Sequence, residues 1–187
     1  IELFINCCSL FADKYKEECI DIIDSIADEE DRKWIFRDYI ASFQWRKNIY
    51  LPFEQFVKLL NTYNWTPSTL WAMLIGNSVR ISHPFNADFW HQMLSKWELN
   101  KRDYLWTTHI NGLPANDNDR IVQLITLYAQ GDKLDIHNEK QIELLLTLFG
   151  WLLTSSNRWL RDNTSKAMIE ILKEHFSLCQ VILEKFS

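Results

Sequence analysis

The chain has 187 residues, 47% of them hydrophobic and 24% charged, with a formal net charge of −5. That is enough apolar material for one sizeable core, and it excludes a disordered chain. The acidic balance argues against nucleic acid as a partner, because phosphate binding rests on clustered Lys and Arg.

The apolar residues recur at steps of three and four, the helical period. Leu3, Phe4, Cys7, Leu10 and Phe11 share one face of a first helix over 2–12, and a second carries Tyr15, Cys19, Ile22, Ile23 and Ile26. The acidic run Asp28-Glu29-Glu30-Asp31 suits the positive end of a helix dipole and starts a third helix, with Trp34, Ile35, Tyr39, Ile40 and Phe43. Pro52 belongs to a helical first turn, and Thr66-Pro67 reads as an N-cap followed by a first-turn proline. Ser82-His83-Pro84 breaks the pattern, and Asn86 or Asp88 restarts it.

A helix from about Asn100 ends at Gly112 and Pro114, and Asp117-Asn118-Asp119 precedes the next, which Gly131 closes. Asn138 opens a helix through Leu153 that is apolar nearly all round, so it is expected to be covered from more than one side. Helices from Arg158 to Leu172 and from Glu174 to Phe186 follow. No segment alternates with period two, and there are only 4 Gly and 4 Pro. The expected fold is all-α: about ten helices in stacked antiparallel pairs, a HEAT-like α-solenoid forming one domain over 1–187.

The residues that would carry chemistry are scarce. Cys7, Cys8, Cys19 and Cys179 lack zinc spacing and read as reduced, mostly buried thiols of a cytoplasmic protein. His83, His91, His109, His137 and His175 offer no helical metal pair. Phosphate-cradling glycine motifs and the GxSxG pattern are absent. The expectation is a non-catalytic module with no cofactor, no metal and no small-molecule substrate. No apolar run reaches the ~20 residues of a membrane helix. Because the chain begins at an Ile already inside a helical pattern, it is expected to be part of a longer protein.

Arg-Asp dipeptides recur beside tryptophans, at Arg37-Asp38, Arg102-Asp103 and Arg161-Asp162. Arg102, Asp103, Arg161 and Asp162 are expected to form structural ion pairs between adjacent helices, with Arg planes lying on indoles. Trp106, Trp159 and the small Ala167 are expected packing positions. The 9 Trp and 11 Phe are core filling by default; the sharper reading is an exposed aromatic binding patch.

Two segments go further: Asn100-Lys101-Arg102-Asp103-Tyr104-Leu105-Trp106-Thr107-Thr108, and the run from Leu152 to Ala167 with Asn157-Arg158-Trp159-Leu160-Arg161-Asp162 at its centre. Together they resemble the helical region of large bacterial STAND-type P-loop ATPases of the anti-phage defence kind. The resemblance implies helical repeats that lie C-terminal to a nucleotide-binding domain and act as sensor or oligomerisation surface. The ATPase motifs of that family are absent from this chain, so its catalytic residues are not carried over. The expected function is therefore protein recognition or self-association. The alternatives are a stand-alone HEAT-like adaptor and, less favoured, a HEAT-like nucleic-acid-binding enzyme.

Overall fold

The computed structural model describes residues 2–62, 67–113, 119–132 and 138–187, and these are helical with no strand among them. The expectation of a single domain over 1–187 meets a chain whose packing groups into two compact units. One is Ile1–Met73 with Ser82–Pro84; the other is Leu74–Ile81 with Phe85–Ser187.

In the first unit, α1 (Glu2–Tyr15), α2 (Ile20–Asp24) and α3 (Glu29–Ser42) pack together, and α4 (Phe53–Thr62) follows. The first helix runs past the break expected near Asp13. It stops at Lys16, whose φ of 61° is left-handed and cannot continue an α-helix. Helix α3 begins as its acidic run demands: the Asp28 side chain accepts from the Asp31 backbone N–H at 2.9 Å, and Lys33 bridges back to Glu29 at 2.8 Å. The core is Ile5, Cys8, Ala12, Ile23, Phe36, Tyr39, Ile40, Phe43 and Phe56.

Helix α1 corrects the sequence reading. Its buried side is Ile5, Cys8 and Ala12, while Leu3, Cys7, Leu10 and Phe11 of the expected core face are exposed. Both sides of α1 are apolar, so periodicity alone could not choose between them.

Helix α5 (Pro67–Asn77) carries the chain from one unit to the other. The second unit then holds α6 (Ala87–Lys96), α7 (Leu99–Arg102), a π-helical turn (Asp103–Thr107), α8 (Thr108–Gly112), α9 (Arg120–Ala129), α10 (Glu139–Leu152), α11 (Arg158–Glu174) and α12 (Leu178–Lys185). Asn86, Asp119, Asn138 and Asn157 each cap a helix start with a side-chain oxygen. Helix α9 ends in a Schellman motif: Gly131 at φ 83° donates to the Tyr128 carbonyl, and Asp132 donates to that of Leu127. The expected Thr66 cap, Pro114, Asp117-Asn118 and His137 lie outside the described residues.

Helix α10 is the centre of this unit. It packs against α6, α11 and α12, and buries an unbroken run from Leu144 to Phe149. Helix α11 packs chiefly on α9.

Candidate functional site

The first unit exposes an unusual amount of apolar surface. Around α1, Leu3, Cys7, Leu10 and Phe11 form an outward stripe, with Leu3 77% and Leu10 71% exposed. On α3, Trp34, Asp38 and Ala41 follow at steps of four and three, which aligns them along one face, and Trp45 stands in the turn after the helix. Trp34 and Trp45 are each 52% exposed. Between α1 and α3 lies a groove of about 430 Å³, lined by Glu2, Ile5, Asn6, Asp38, Ala41, Ser42 and Trp45. Its lining mixes apolar Ile5, Ala41 and Trp45 with polar Asn6 and Ser42 and two carboxylates, and no basic residue lines it.

A buried clasp fixes this surface from below. The Glu18 carboxylate accepts two bonds from the Arg46 guanidinium, at 2.8 and 2.9 Å, one from the Tyr39 hydroxyl, and one from the Tyr50 backbone N–H at 2.8 Å. Both charged side chains are almost wholly enclosed. The guanidinium also faces the rings of Phe43 and Tyr39. Burial and the Glu18 charge push the Tyr39 hydroxyl well above the ordinary tyrosine range. Trp45 sits one residue before Arg46 in the turn that closes α3, where both backbone N–H groups bond to the Ser42 carbonyl. The clasp therefore holds Trp45 at the groove rim. Nearby, burial first and the Cys19 neighbour second push the Cys8 thiol up to about 12, so it stays un-ionised and unreactive at neutral pH.

The second unit has its own charged cluster, which joins three helices. Asp88 of α6 meets Lys140 of α10 at 2.6 Å and Lys185 of α12 at 2.5 Å. Glu143 meets Lys185 at 2.5 Å and Lys140 at 3.0 Å. Burial pushes both carboxyls up, but the two ammonium groups outweigh it and hold them below their ordinary values. Beside the cluster, the Trp151 indole donates to His91 Nδ1 at 3.0 Å, and the Phe186 ring closes against both residues. The two acids and two lysines tie α6, α10 and α12 together, and the arrangement is a latch for α12.

The expected inter-helix ion pairs of Arg102, Asp103, Arg161 and Asp162 give way to other partners. Arg102 lies over the Trp151 ring at 5.6 Å, and Asp103 accepts from the Thr107 hydroxyl within its own π-helical turn. Arg161 donates to the Ser155 backbone carbonyl at 2.8 Å, and Asp162 pairs with Arg158 one turn earlier. The physical reason is mostly local: Asp103, Arg161 and Asp162 find partners on their own helix or the turn before it, Arg102 alone of the four reaches an aromatic ring on α10, and Asp162 faces water. Trp106 is fully buried against Trp90, its indole N–H shared between the Trp151 carbonyl and the Thr154 hydroxyl. Ala167 is fully buried, whereas Trp159 is 41% exposed.

Sequence reasoning missed the Glu18–Arg46 clasp and the Asp88–Lys140–Glu143–Lys185 latch. Apart from the i,i+3 pair Lys140–Glu143, their oppositely charged partners stand 28 to 97 positions apart, so local spacing does not signal them. Among the described residues there is no group of three or more metal-ligating side chains and no helix long and apolar enough to cross a membrane. Comparisons of the chain with protein-family models, curated proteins and solved structures find no match.

Proposed function

We propose that this chain is a non-catalytic helical module for protein recognition or self-association, and that it serves as the sensor part of a bacterial STAND-type signalling ATPase. The observation that carries the reading is the outward apolar stripe of α1, Leu3, Cys7, Leu10 and Phe11, together with the exposed Trp34 of α3 and Trp45 of the turn after it. Exposed apolar surface of this extent, rimmed by charge, marks an interaction site. A HEAT-like arrangement draws support from the packing of alternate helices, α9 with α11 and α10 with α12. The link to a signalling ATPase rests on the two motif-bearing segments around Arg102 and Arg161.

The test is a capture experiment with the chain as bait, in bacterial cells with and without phage infection, alongside its sedimentation behaviour. A protein partner or a defined oligomer is expected, and Leu3→Ser with Leu10→Ser should abolish it while leaving the helical circular dichroism intact. Capture of nucleic acid alone, or micromolar Mg-ATP binding by calorimetry, would overturn the reading.

A further inference from the structure

We propose that the groove between α1 and α3 docks an amphipathic α-helix of a protein partner, one that carries a Lys or Arg at the centre of its apolar face. The inference rests on the recognition role above and names the chemistry of the partner. Three observations carry it.

The first is shape. Trp34, Asp38 and Ala41 follow the steps of four and three by which one helix presents itself to another, and Trp45 stands in the turn after them. In the groove lining the small Ala41 stands between Asp38 and the large Trp45 indole, which leaves room for a partner side chain to insert. From Trp34 to Trp45 the chain covers about three helical turns, the length of an ordinary docking helix.

The second is charge. Glu2 and Asp38 are the ionisable residues lining the groove, and neither is opposed by a basic residue in the lining. Asp38 accepts both of its bonds from Arg37, Nε at 3.1 Å and Nη2 at 3.0 Å, through the same oxygen Oδ1. Its second oxygen remains for an incoming cation. Arg37 itself is drawn back over the Trp34 ring, 4.0 Å from its centre, and leaves the groove side clear.

The third is the lining chemistry. Ile5, Ala41 and the Trp45 ring suit the methylene stem of a Lys or Arg, and Glu2 and Asp38 suit its head. An acidic partner helix would place its carboxylates against Glu2 and Asp38 and be repelled. A second copy of this chain would bring its own acidic α3 to the same place.

The experiment uses two fluorescein-labelled amphipathic helical peptides of equal length and apolar content, one with Lys at the central apolar-face position and one with Glu there. Binding to the 187-residue chain is read by anisotropy. The Lys peptide should bind at least about tenfold more tightly than the Glu peptide, and the preference should shrink as salt rises. Glu2→Gln with Asp38→Asn should erase the preference, and Trp45→Ala should weaken both peptides, with circular dichroism unchanged in each variant. Equal binding of the two peptides, a preference that survives Glu2→Gln with Asp38→Asn, or occupancy of the groove by a second copy in sedimentation would overturn the proposal. If the Lys peptide fails while Leu3→Ser with Leu10→Ser still abolishes partner capture, only the groove assignment falls and the recognition role stands.

Discussion

At the scale of single residues, the Glu18–Arg46 pair is the feature with the most at stake. Both side chains are enclosed, and the carboxylate has four donors. Removing one partner leaves the other as a buried charge without compensation. Arg46→Ala should therefore lower stability by about 3–5 kcal/mol, measured by urea unfolding. A loss under about 1 kcal/mol, as for an exposed pair, would show the pair to be open to water. His91 gives a pH signature. Burial first, and the Lys185 charge second, hold its imidazole below the ordinary 6.5, against the opposing pull of Asp88. The unfolded chain then binds the proton more readily than the folded one. The stability from neutral His91 is present above about pH 6.5 and is lost as pH falls through the folded-state value. His109 is depressed by burial in the same sense. Thermal unfolding should occur at lower temperature at pH 5 than at pH 7, and His91→Gln should shrink that difference without erasing it. The Asp88 and Glu143 contributions are lost only further down, below the ordinary carboxylate values, because both are held low.

At the scale of elements, close approaches decide the outcome of small changes. A Cβ on Gly150 would stand 2.5 Å from the Phe186 ring. Gly→Ala inside a helix gains up to about 1 kcal/mol of propensity, so global stability should change little. The flexible ring must move, though, and it covers His91 and Trp151. Gly150→Ala should therefore raise amide exchange in α12 and shift the tryptophan emission; unchanged exchange there would mean that Phe186 does not seal the latch. Ala167 is fully buried on α11, so Ala167→Trp should cost at least about 1–3 kcal/mol through overpacking. An unchanged melting temperature would contradict its burial. Much of this level was legible in advance. The acidic run at Asp28 and the caps at Asn86, Asp119 and Asn138 are local chemistry, and the all-round apolar α10 foretold its central place. The rest was not local. On α1, two apolar sides competed, and only the packing of α3 selected Ile5, Cys8 and Ala12. The Arg-Asp dipeptides suggested bridges between helices, yet a side chain at Arg161 reaches the preceding turn sooner than a neighbouring helix. The candidate groove was foreshadowed only by the surplus of tryptophan, which named no position.

At the scale of the whole molecule, charge yields a prediction about nucleic acid. The net charge of −5 offers phosphate little attraction, and the basic residues are spread along the chain. Binding to a random DNA duplex at 0.15 M salt should be weaker than the roughly 10⁻⁴–10⁻⁶ M typical of non-specific DNA-binding proteins. Electrophoretic mobility shifts at micromolar protein would contradict this. In the proposed docking role, the acidic, tryptophan-edged groove would discriminate among partners by repulsion as much as by attraction.

The π-helical turn Asp103–Thr107 has one more consequence. Its closing bond runs from the Thr108 N–H to the Asp103 carbonyl, one residue longer than an α-helical bond. The turn is thus a loop of slack wound into a helix. In a regular helix, losing one residue would rotate everything beyond it by about 100° and turn core positions outward. Here the slack can absorb the loss. Tyr104 is 75% exposed and bulges from the turn, so its deletion would convert the π turn to an α turn and keep Arg102 and Ile110 in phase. The segment between α6 and α9 is therefore where this chain can change length by one residue without rewriting its core.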